Sequence, residues 1–343
     1  MVSLLHPAYE ITIGGQRWTQ QAIAIELRLT AGPWLNRLTV RFPAAVPISA
    51  HPDDPVALLL DGGEGKEAVF TGVVASLRRG LDQIEVTAID ALGQLARYRP
   101  ATTFKQASAG TVIRGLAGDA GVKTGDLADG VMLAFYAADP SRTAADHATR
   151  VAAWSGAMLA VAADGGLTAT IIDATQADIA LRYGRELTGF TLDDLAKPDT
   201  ITIAGESGAG SSDAPEALRL TADFFAGNRP EGPSLGHRWL WEPALRTASA
   251  AATAGAATQR RLGAGQQKGR LDAFLQPKLR PGTVIQIADL PAGLAGGPFW
   301  LDRVDHIIGP SGARTSARVM RGGDSFNPSS LLGALGSALA AAF

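Results

Sequence analysis

Cysteine is absent from the 343-residue sequence, which excludes disulfides and thiolate metal sites. The five histidines are scattered, and no two of them stand at a short metal-ligand spacing such as HxxxH. No run of about 18 consecutive apolar residues occurs, so no membrane-spanning helix is predicted. The N-terminal stretch lacks a basic region followed by a long apolar core, and we expect no secretory signal. A formal net charge of −2 gives no reason to expect general attraction to nucleic acid or anionic membranes.

Glycine and proline are abundant instead, with 40 and 19 residues, while aromatic residues make up only 6% of the chain. This composition is typical of many short strands joined by turns. Alternating and short apolar runs predict strands in the first hundred residues, over 22–30, 37–42, 55–60, 68–79 and 84–92. Short strands at intervals of about ten residues favour a small barrel or sandwich over a βαβ domain.

The pattern changes to amphipathic helices after residue 100. One helix is predicted over 108–122, where it ends at a glycine, and a second over 141–159. Ser141 is the candidate N-cap of the second helix, and His147 is expected on its surface or as a cap to a neighbour. A hairpin that turns on Asp164-Gly165 follows. Together these elements predict a compact α+β unit.

Three later stretches repeat the plan of three earlier strands, with a glycine loop after the first strand and a tight turn after the second. The later stretches cover residues 282–291, 297–309 and 314–322. Spacing aligns Val56 with Val284, Phe70 with Trp300, and Ile84 with Thr315. A repeat of this kind indicates two copies of one β unit. An alanine-dense helix is predicted just before the second copy, over about 244–262.

The stretch ITIAGESGAGSSDAP, residues 201–215, carries the glycine spacing of a phosphate-binding P-loop. Ser211 stands where the lysine that meets the phosphates would be, and Pro215 disfavours helical backbone just before it. We therefore predict a loop that leaves a strand, and no bound nucleotide.

Candidate catalytic groups are few. His306 lies near Asp302 and Asp305, but no nucleophile motif or second histidine accompanies it, so a strand or interface histidine is predicted. Trp239 and Trp241 alternate onto one strand face, which indicates core or a subunit contact. The sequence nominates no catalytic, cofactor-binding or metal-ligating residue, and we expect a protein that is not an enzyme.

The last residues, 326–343, form an apolar tail whose leucines recur at helical spacing. An exposed leucine stripe more often marks a docking surface than a frayed end. The side chains predicted to form a partner interface are Leu331, Leu332, Leu335, Leu339 and Phe343.

An ordered set of stretches spans most of the chain: VFTGVVASL (69–77) with VTAIDALGQLAR (86–97), FKQASAGTVIRGLAGDAGV (104–122), FYAADPSRTAADHATRVAAWSGAMLAVAADGGL (135–167), LRPGTVIQI (279–287) and FWLDRVDHIIGPSGARTSARV (299–319). In this order they resemble the phage late control gene D family, the baseplate hub proteins of contractile tails. The resemblance implies a mainly β chain with an α+β insertion. Its implied parts are a first barrel (1–100), an α+β domain (101–185), a second barrel with the helical insertion (186–325) and the apolar tail (326–343).

The resemblance further implies a homotrimer, in which two similar barrels per subunit give a ring with pseudo-sixfold symmetry. Such a ring would join a sixfold tail tube to a trimeric central spike in the tail baseplate of a virion assembled in the host cytoplasm. Implied partners are the spike, the tail tube or tube initiator, the baseplate wedge proteins and the tape measure protein. Related hubs occur in bacterial contractile injection systems, including type VI secretion. Because no spike-like C-terminal repeats are present, the spike is expected to be a separate protein.

A hub-associated peptidoglycan hydrolase is the alternative function, since tail tips often carry such an enzyme. The sequence contains no hydrolase constellation that would support it. A zymogram on peptidoglycan separates the two hypotheses.

Overall fold

The computed structural model describes residues 7–196, 200–206 and 236–321, which hold twenty strands and four helices. The first seven strands are β1 (Ala8–Ile13), β2 (Gln16–Trp18), β3 (Ala24–Thr30), β4 (Arg37–Pro43), β5 (Pro55–Asp61), β6 (Lys66–Arg79) and β7 (Gln83–Ile89). The next elements are α1 (Ala91–Arg97), β8 (Thr102–Ser108), α2 (Ala109–Asp119), β9 (Thr124–Leu127), β10 (Met132–Ala138), α3 (Ala144–Trp154), β11 (Ala157–Val161) and β12 (Leu167–Ile171). The last are β13 (Ile179–Arg182), β14 (Leu187–Asp194), β15 (Thr200–Ala204), β16 (His237–Trp241), α4 (Ala248–Ala264), β17 (Gln267–Phe274), β18 (Val284–Ala288), β19 (Phe299–Gly309) and β20 (Gly312–Arg321).

Thirteen of the described strands form one sheet that joins the early and late parts of the chain. Its main path runs β14-β17-β20-β19-β3-β4-β7-β6-β5-β1-β2, and β18 pairs with both β19 and β13. The antiparallel pair of β3 and β19 connects the two parts, from Ile25 opposite Ile308 to Thr30 opposite Arg303. We call this pair the joint.

The prediction of a mainly β chain with an inserted α+β unit is confirmed. Within the described residues, no ladder closes either predicted barrel on itself, because the joint places β19 along the edge of β3. Each β region nevertheless has its own apolar core. Phe42 and Leu58 are buried in the core of the early strands, and Leu271 and Phe299 in the core of the late strands.

The strand order shows the sequence repeat in three dimensions. The first unit is the neighbouring set β3, β4, β7 and β6, and the second unit is β14, β17, β20 and β19, in the same order. Both units carry a β-bulge at the matching place, where Ala75 of β6 and Asp302 of β19 have no opposite residue. Aligned on this bulge, Ile84 matches Thr315, as the spacing predicts.

Two pairs of the repeat alignment are wrong. When the strands are aligned on their bulges, Val284, which lies opposite Trp300, matches Pro55, which lies opposite Val73, rather than Val56. Trp300 lies two residues before the bulge residue Asp302, so it matches Val73, which lies two residues before Ala75, rather than Phe70. The loops that precede these two strands differ in length, so counting residues from the preceding strand displaces the alignment.

The α+β unit contains the two predicted helices and the predicted hairpin, but its details differ. Helix α3 begins at the N-cap Thr143 rather than at Ser141, because Thr143 and Asp146 form a reciprocal capping box. His147 lies in the core, only 1% exposed, and not on the helix surface. Its Nε2 donates to the Asp139 carbonyl at 3.0 Å, which leaves Nδ1 to accept from the Tyr136 hydroxyl at 2.7 Å.

The alanine-dense helix is α4, and it packs against the α+β unit. Its buried Ala250, Ala251 and Ala254 share one apolar core with α2 and α3, because alanine side chains allow close approach between helices. No helix in the described part of the chain is long and apolar enough to cross a membrane. The division of the chain at residues 100, 185 and 325 stays a prediction.

Candidate functional site

The joint is held by an ion pair on one face of the sheet and by an apolar layer on the other. Arg28 of β3 lies opposite Asp305 of β19, and its Nε is 3.2 Å from Asp305 Oδ1. Arg303 donates to the second oxygen of the same carboxylate at 2.9 Å. On the reverse face Leu27 and Val304 are fully buried. The joint is therefore a complete strand pair, with its charged side chains matched and its apolar side chains covered.

His306 lies in the joint as a buried structural residue. Its Nε2 donates to the Leu279 carbonyl at 3.2 Å, so its Nδ1 accepts from the Thr315 hydroxyl at 2.9 Å. Burial lowers the pKa of His306 to about 4, well below its ordinary value. The imidazole is therefore neutral at pH 7, and both ring nitrogens are occupied. The sequence prediction of a strand histidine agrees with this position.

Arg280 connects three parts of the molecule from a partly buried position. Its guanidinium donates to the Val69 carbonyl of β6 at 3.0 Å and to the Val161 carbonyl of β11 at 3.1 Å. Val69 is the bulge residue of the β5–β6 ladder and has no opposite residue there. Arg280 therefore donates to a carbonyl that lacks a partner within the ladder. Asp90, the buried N-cap of α1, has a pKa raised by burial, although Asn36 and two helix N–H groups donate to it.

The two units end in strand edges that the described residues leave mostly unpaired. In the second unit β14 pairs with β17, and on its other side its first residue, Leu187, bridges to Tyr183. Among the described residues, the rest of that edge, after Leu187, is open. In the first unit β5 covers the beginning of β6 as far as Val73, and the edge of Ser76–Arg79 opposite β7 is open. Exposed strand edges are sites where another chain can add by main-chain hydrogen bonding. These two open edges form the candidate assembly site of the protein.

The outward sides of both units line one concave face around a cavity of about 810 Å³. Its lining holds eight basic and four acidic side chains, and several of the arginines pair with carboxylates: Arg41 pairs with Glu26 and Glu85, and Arg318 pairs with Asp302. Asp193, at the open edge of β14, also lines this face. Among the described residues, no group of three or more histidine and acidic side chains is arranged to hold a metal ion.

The P-loop-like stretch has a structural reason for its first glycine. A side chain on Gly205 would place its Cβ 2.3 Å from the Leu245 carbonyl oxygen, so only glycine fits beside that backbone. Residues 207–215 lie outside the described residues. Trp239 and Trp241 lie on β16 and are 37% and 46% exposed, so they are not core residues. A subunit contact stays the prediction for them.

The predicted interface residues Leu331, Leu332, Leu335, Leu339 and Phe343 lie outside the described residues. Sequence reasoning expected edge strands that a neighbouring subunit closes, but it did not identify which strands have open edges, and it missed the joint. The strand repeat is visible in the sequence. The alternation of side chains along each strand indicates which of them share a face of the sheet. The sequence does not state which strand of one copy pairs with which strand of the other, because such pairs are set by contacts distant in the chain.

No protein-family model and no curated protein sequence matches this chain. Solved structures with the same fold include the 43 kDa tail protein of prophage MuSo2 from Shewanella oneidensis, which is 14% identical with a TM-score of 0.64 and covers 92% of this chain and 98% of its own. A tail protein from Neisseria meningitidis MC58 is also 14% identical, with a TM-score of 0.68, and covers 92% of this chain and 96% of its own. The E. coli c3393 protein is 11% identical with a TM-score of 0.59, and covers 92% of this chain and 77% of its own. It is described as a type VI secretion system component structurally similar to the T4 tail proteins gp27 and gp5. At these identities the likeness shows the fold alone, which this chain shares with these three proteins.

Proposed function

We propose that this chain is a structural hub protein of a contractile tail or of a related injection system. Three copies form a ring that joins the sixfold tail tube to a trimeric central spike. The shared fold with two tail proteins and a type VI secretion component supports this role. The protein acts by assembly and has no enzymatic activity.

The observation that carries the proposal is the sheet of two equivalent four-strand units joined end to end in one chain. Three chains supply six such units, and a ring of six similar units matches a sixfold partner on one side. The same ring has three identical chains and matches a threefold partner on the other side. A repeat inside a trimeric subunit is a direct way to connect the two symmetries.

The four-strand units and their cores form the ring, and the parts outside it contact other tail proteins. We assign residues 1–100 and 186–325 to the ring, 101–185 to an α+β domain on its periphery and 326–343 to a docking tail. The tail leucines contact the tape measure protein or the tube initiator. The spike and the wedge proteins bind other surfaces of the ring, and the protein is located in the tail baseplate of the assembled particle.

Native mass spectrometry of the full chain, alone and with its spike and tube proteins, tests this function. We expect a threefold mass, at the latest when the spike is added, and a complex that retains both partners. A persistent monomer or a closed dimer in the presence of both partners would contradict the hub proposal. Cleavage of peptidoglycan in a zymogram would contradict the absence of enzymatic activity.

A further inference from the structure

The two units can be superimposed residue by residue from their ladders alone. Leu77 of β6 matches Val304 of β19, because each lies two residues after the bulge residue of its strand. Across the sheet, the ladders carry this match through β7 and β20 and through β4 and β17 to the outermost strands. There Ile25 of β3 matches Phe190 of β14.

A hydrogen bond outside the ladders agrees with this alignment. His306 of β19 contacts the carbonyl of Leu279 at 3.2 Å. The matching residue of β6 is Arg79, which donates to the carbonyl of Ile48 at 3.4 Å. Ile48 lies in the loop after β4 and Leu279 in the loop after β17, and β4 and β17 are the second strands of their units. The two units are therefore alike in these loops as well as in their strands.

The joint pairs the last strand of the second unit, β19, with the first strand of the first unit, β3. The strands that match them are β6 and β14, and these are the strands with open edges. Both members of a second joint are therefore present on one chain, as the first and last of the eight strands that form the two units. They cannot meet within the chain, but the β14 of one copy can meet the β6 of the next.

The alignment also fixes the register of this second joint. Arg28 opposite Asp305 in the joint corresponds to Asp193 opposite Arg78 between copies. The ion pair is thus retained with its charges exchanged. Arg78 and Asp193 are both exposed, and no ion pair or hydrogen bond engages either side chain among the described residues.

The inward faces of the two open edges are incompletely covered, as expected for an unformed joint. Leu27 and Val304 are fully buried in the joint. The residues that match them, Leu192 and Leu77, are only partly buried. One position departs from the pattern, since Asp194 stands where the first unit has Leu29, and it accepts from Gln267.

We propose that β14 of one copy pairs antiparallel with Ser76–Arg79 of β6 in the next copy, with Asp193 opposite Arg78 and Leu192 opposite Arg79. This inference rests on the proposed ring and names its contact. The pair is heterologous, so repeated contacts close into a ring or extend without end. Because this contact has the same register as the joint, it relates neighbouring units in the way that the joint does.

Charge reversal tests the ion pair. Arg78→Asp and Asp193→Arg each place like charges opposite one another, and we expect each to weaken trimer formation about tenfold or more. The double variant Arg78→Asp/Asp193→Arg restores the pair and should restore the trimer. Arg114→Asp, on the exposed face of α2, is the control with the same change in net charge as Arg78→Asp. Sedimentation velocity measures assembly, and circular dichroism checks that each variant folds.

Mixing the two single variants tests the contact in another way, because a ring of three chains cannot alternate two kinds of chain. Contacts between unlike chains have opposite charges in both orders, but a ring of three must contain at least one contact between chains of the same kind, where the charges are alike. The mixture should therefore form open dimers and only weakly form trimers, unlike the double variant. Full recovery of trimers in the mixture would contradict the Arg78–Asp193 contact.

A disulfide tests the register without relying on charge. Side chains directly opposite in an antiparallel pair have Cβ atoms about 4.5–5.5 Å apart, a separation that a disulfide can bridge with small backbone adjustment. Because the chain has no cysteine, Arg78→Cys/Asp193→Cys introduces the only thiols. Oxidation should give covalently linked trimers on a non-reducing gel. Arg78→Cys/Thr191→Cys, displaced by one pair on the same face, should link much less.

The outcomes separate this inference from the proposed function. A threefold mass without cross-linking at Arg78 and Asp193, or with equal cross-linking of the displaced pair, would overturn the register and leave the ring intact. Cross-linked dimers or open chains without trimers would support the strand contact and contradict the trimeric hub. Full trimer formation by both single charge variants would overturn the ion pair.

Discussion

Ile25 and Phe190 occupy equivalent positions in the two four-strand units, yet their surroundings differ. Ile25 is 1% exposed because β19 lies against its strand, whereas Phe190 is partly buried on a strand with an open edge. The two units have the same strand order, the same bulge and the same inward face. Their difference teaches that one joint is formed within the chain; its proposed counterpart would require a second chain.

The largest loss of stability is expected from substituting Ile25, which is more completely buried than its counterpart Phe190. Ile25→Ala should lower the free energy of unfolding by about 3 kcal/mol, because it leaves a cavity in a closed core. Phe190→Ala should cost only about 1 kcal/mol in the monomer, because its ring already contacts solvent. Urea unfolding at low protein concentration measures both. Equal losses would show that the edge of β14 is as well covered as that of β3.

Acid is expected to lower the free energy of unfolding by a comparable amount, through a histidine that only the second unit has at this position. The folded pKa of His306 is about 4, below the ordinary value, so between about pH 6.5 and 4 only the unfolded chain binds this proton. The stabilisation is complete above this window and is lost as the pH falls through it, by about 3 kcal/mol in total. In the first unit Arg79 takes the same position, and arginine keeps its charge at these pH values.

His306→Gln removes the titrating group while retaining polar atoms. Unfolding free energies of the parent and this variant, measured at several pH values, should converge as the pH falls from 6.5 to 4. Curves that remain parallel over this range would show that His306 is accessible to protons in the folded chain. The difference between the two proteins removes the contribution of the carboxylates, including that of Asp90.

A smaller loss of stability is expected from substituting Gly72, a glycine of the first unit whose position holds a large side chain in the second. Gly72 lies three residues before the bulge residue, where the second unit has the buried Phe299. A Cβ on Gly72 would lie 2.2 Å from the Ile89 carbonyl oxygen, because β7 turns there into α1, whereas β20 continues. Gly72→Ala should therefore cost about 2 kcal/mol through backbone displacement.

Gly118→Ala is the matched control for this substitution. Gly118 is exposed near the end of α2, and a Cβ added there would have open space around it. Alanine should be neutral there or stabilise the helix by up to about 1 kcal/mol. Thermal unfolding of both variants measures the contrast. If Gly72→Ala is as stable as the parent, the close approach to Ile89 does not constrain the fold.

Local patterns determined a large part of this fold. Alternation predicted β3 to β7, apolar periodicity predicted α2 and α3, and the residue repeat indicated two copies of one β unit. These features depend on neighbours within a few residues, where side-chain period and turn chemistry act directly. The short helix α1 and strands such as β8 and β10 were missed, because their apolar residues show no clear period over so few positions.

Only the tertiary structure decided how the two copies are joined. Pairing β3 with β19 brings together residues that are almost three hundred positions apart, and no local pattern records such a partner. The same holds for Arg280, whose guanidinium donates to carbonyls of Val69 and Val161, both more than a hundred positions away. The sequence alone determined that the chain has two similar β units; the fold decided which edges they share and which edges stay open. The physical reason is that strand pairing satisfies backbone groups whichever side chains they carry, so the choice of partner is made by the shape and packing of the whole sheet.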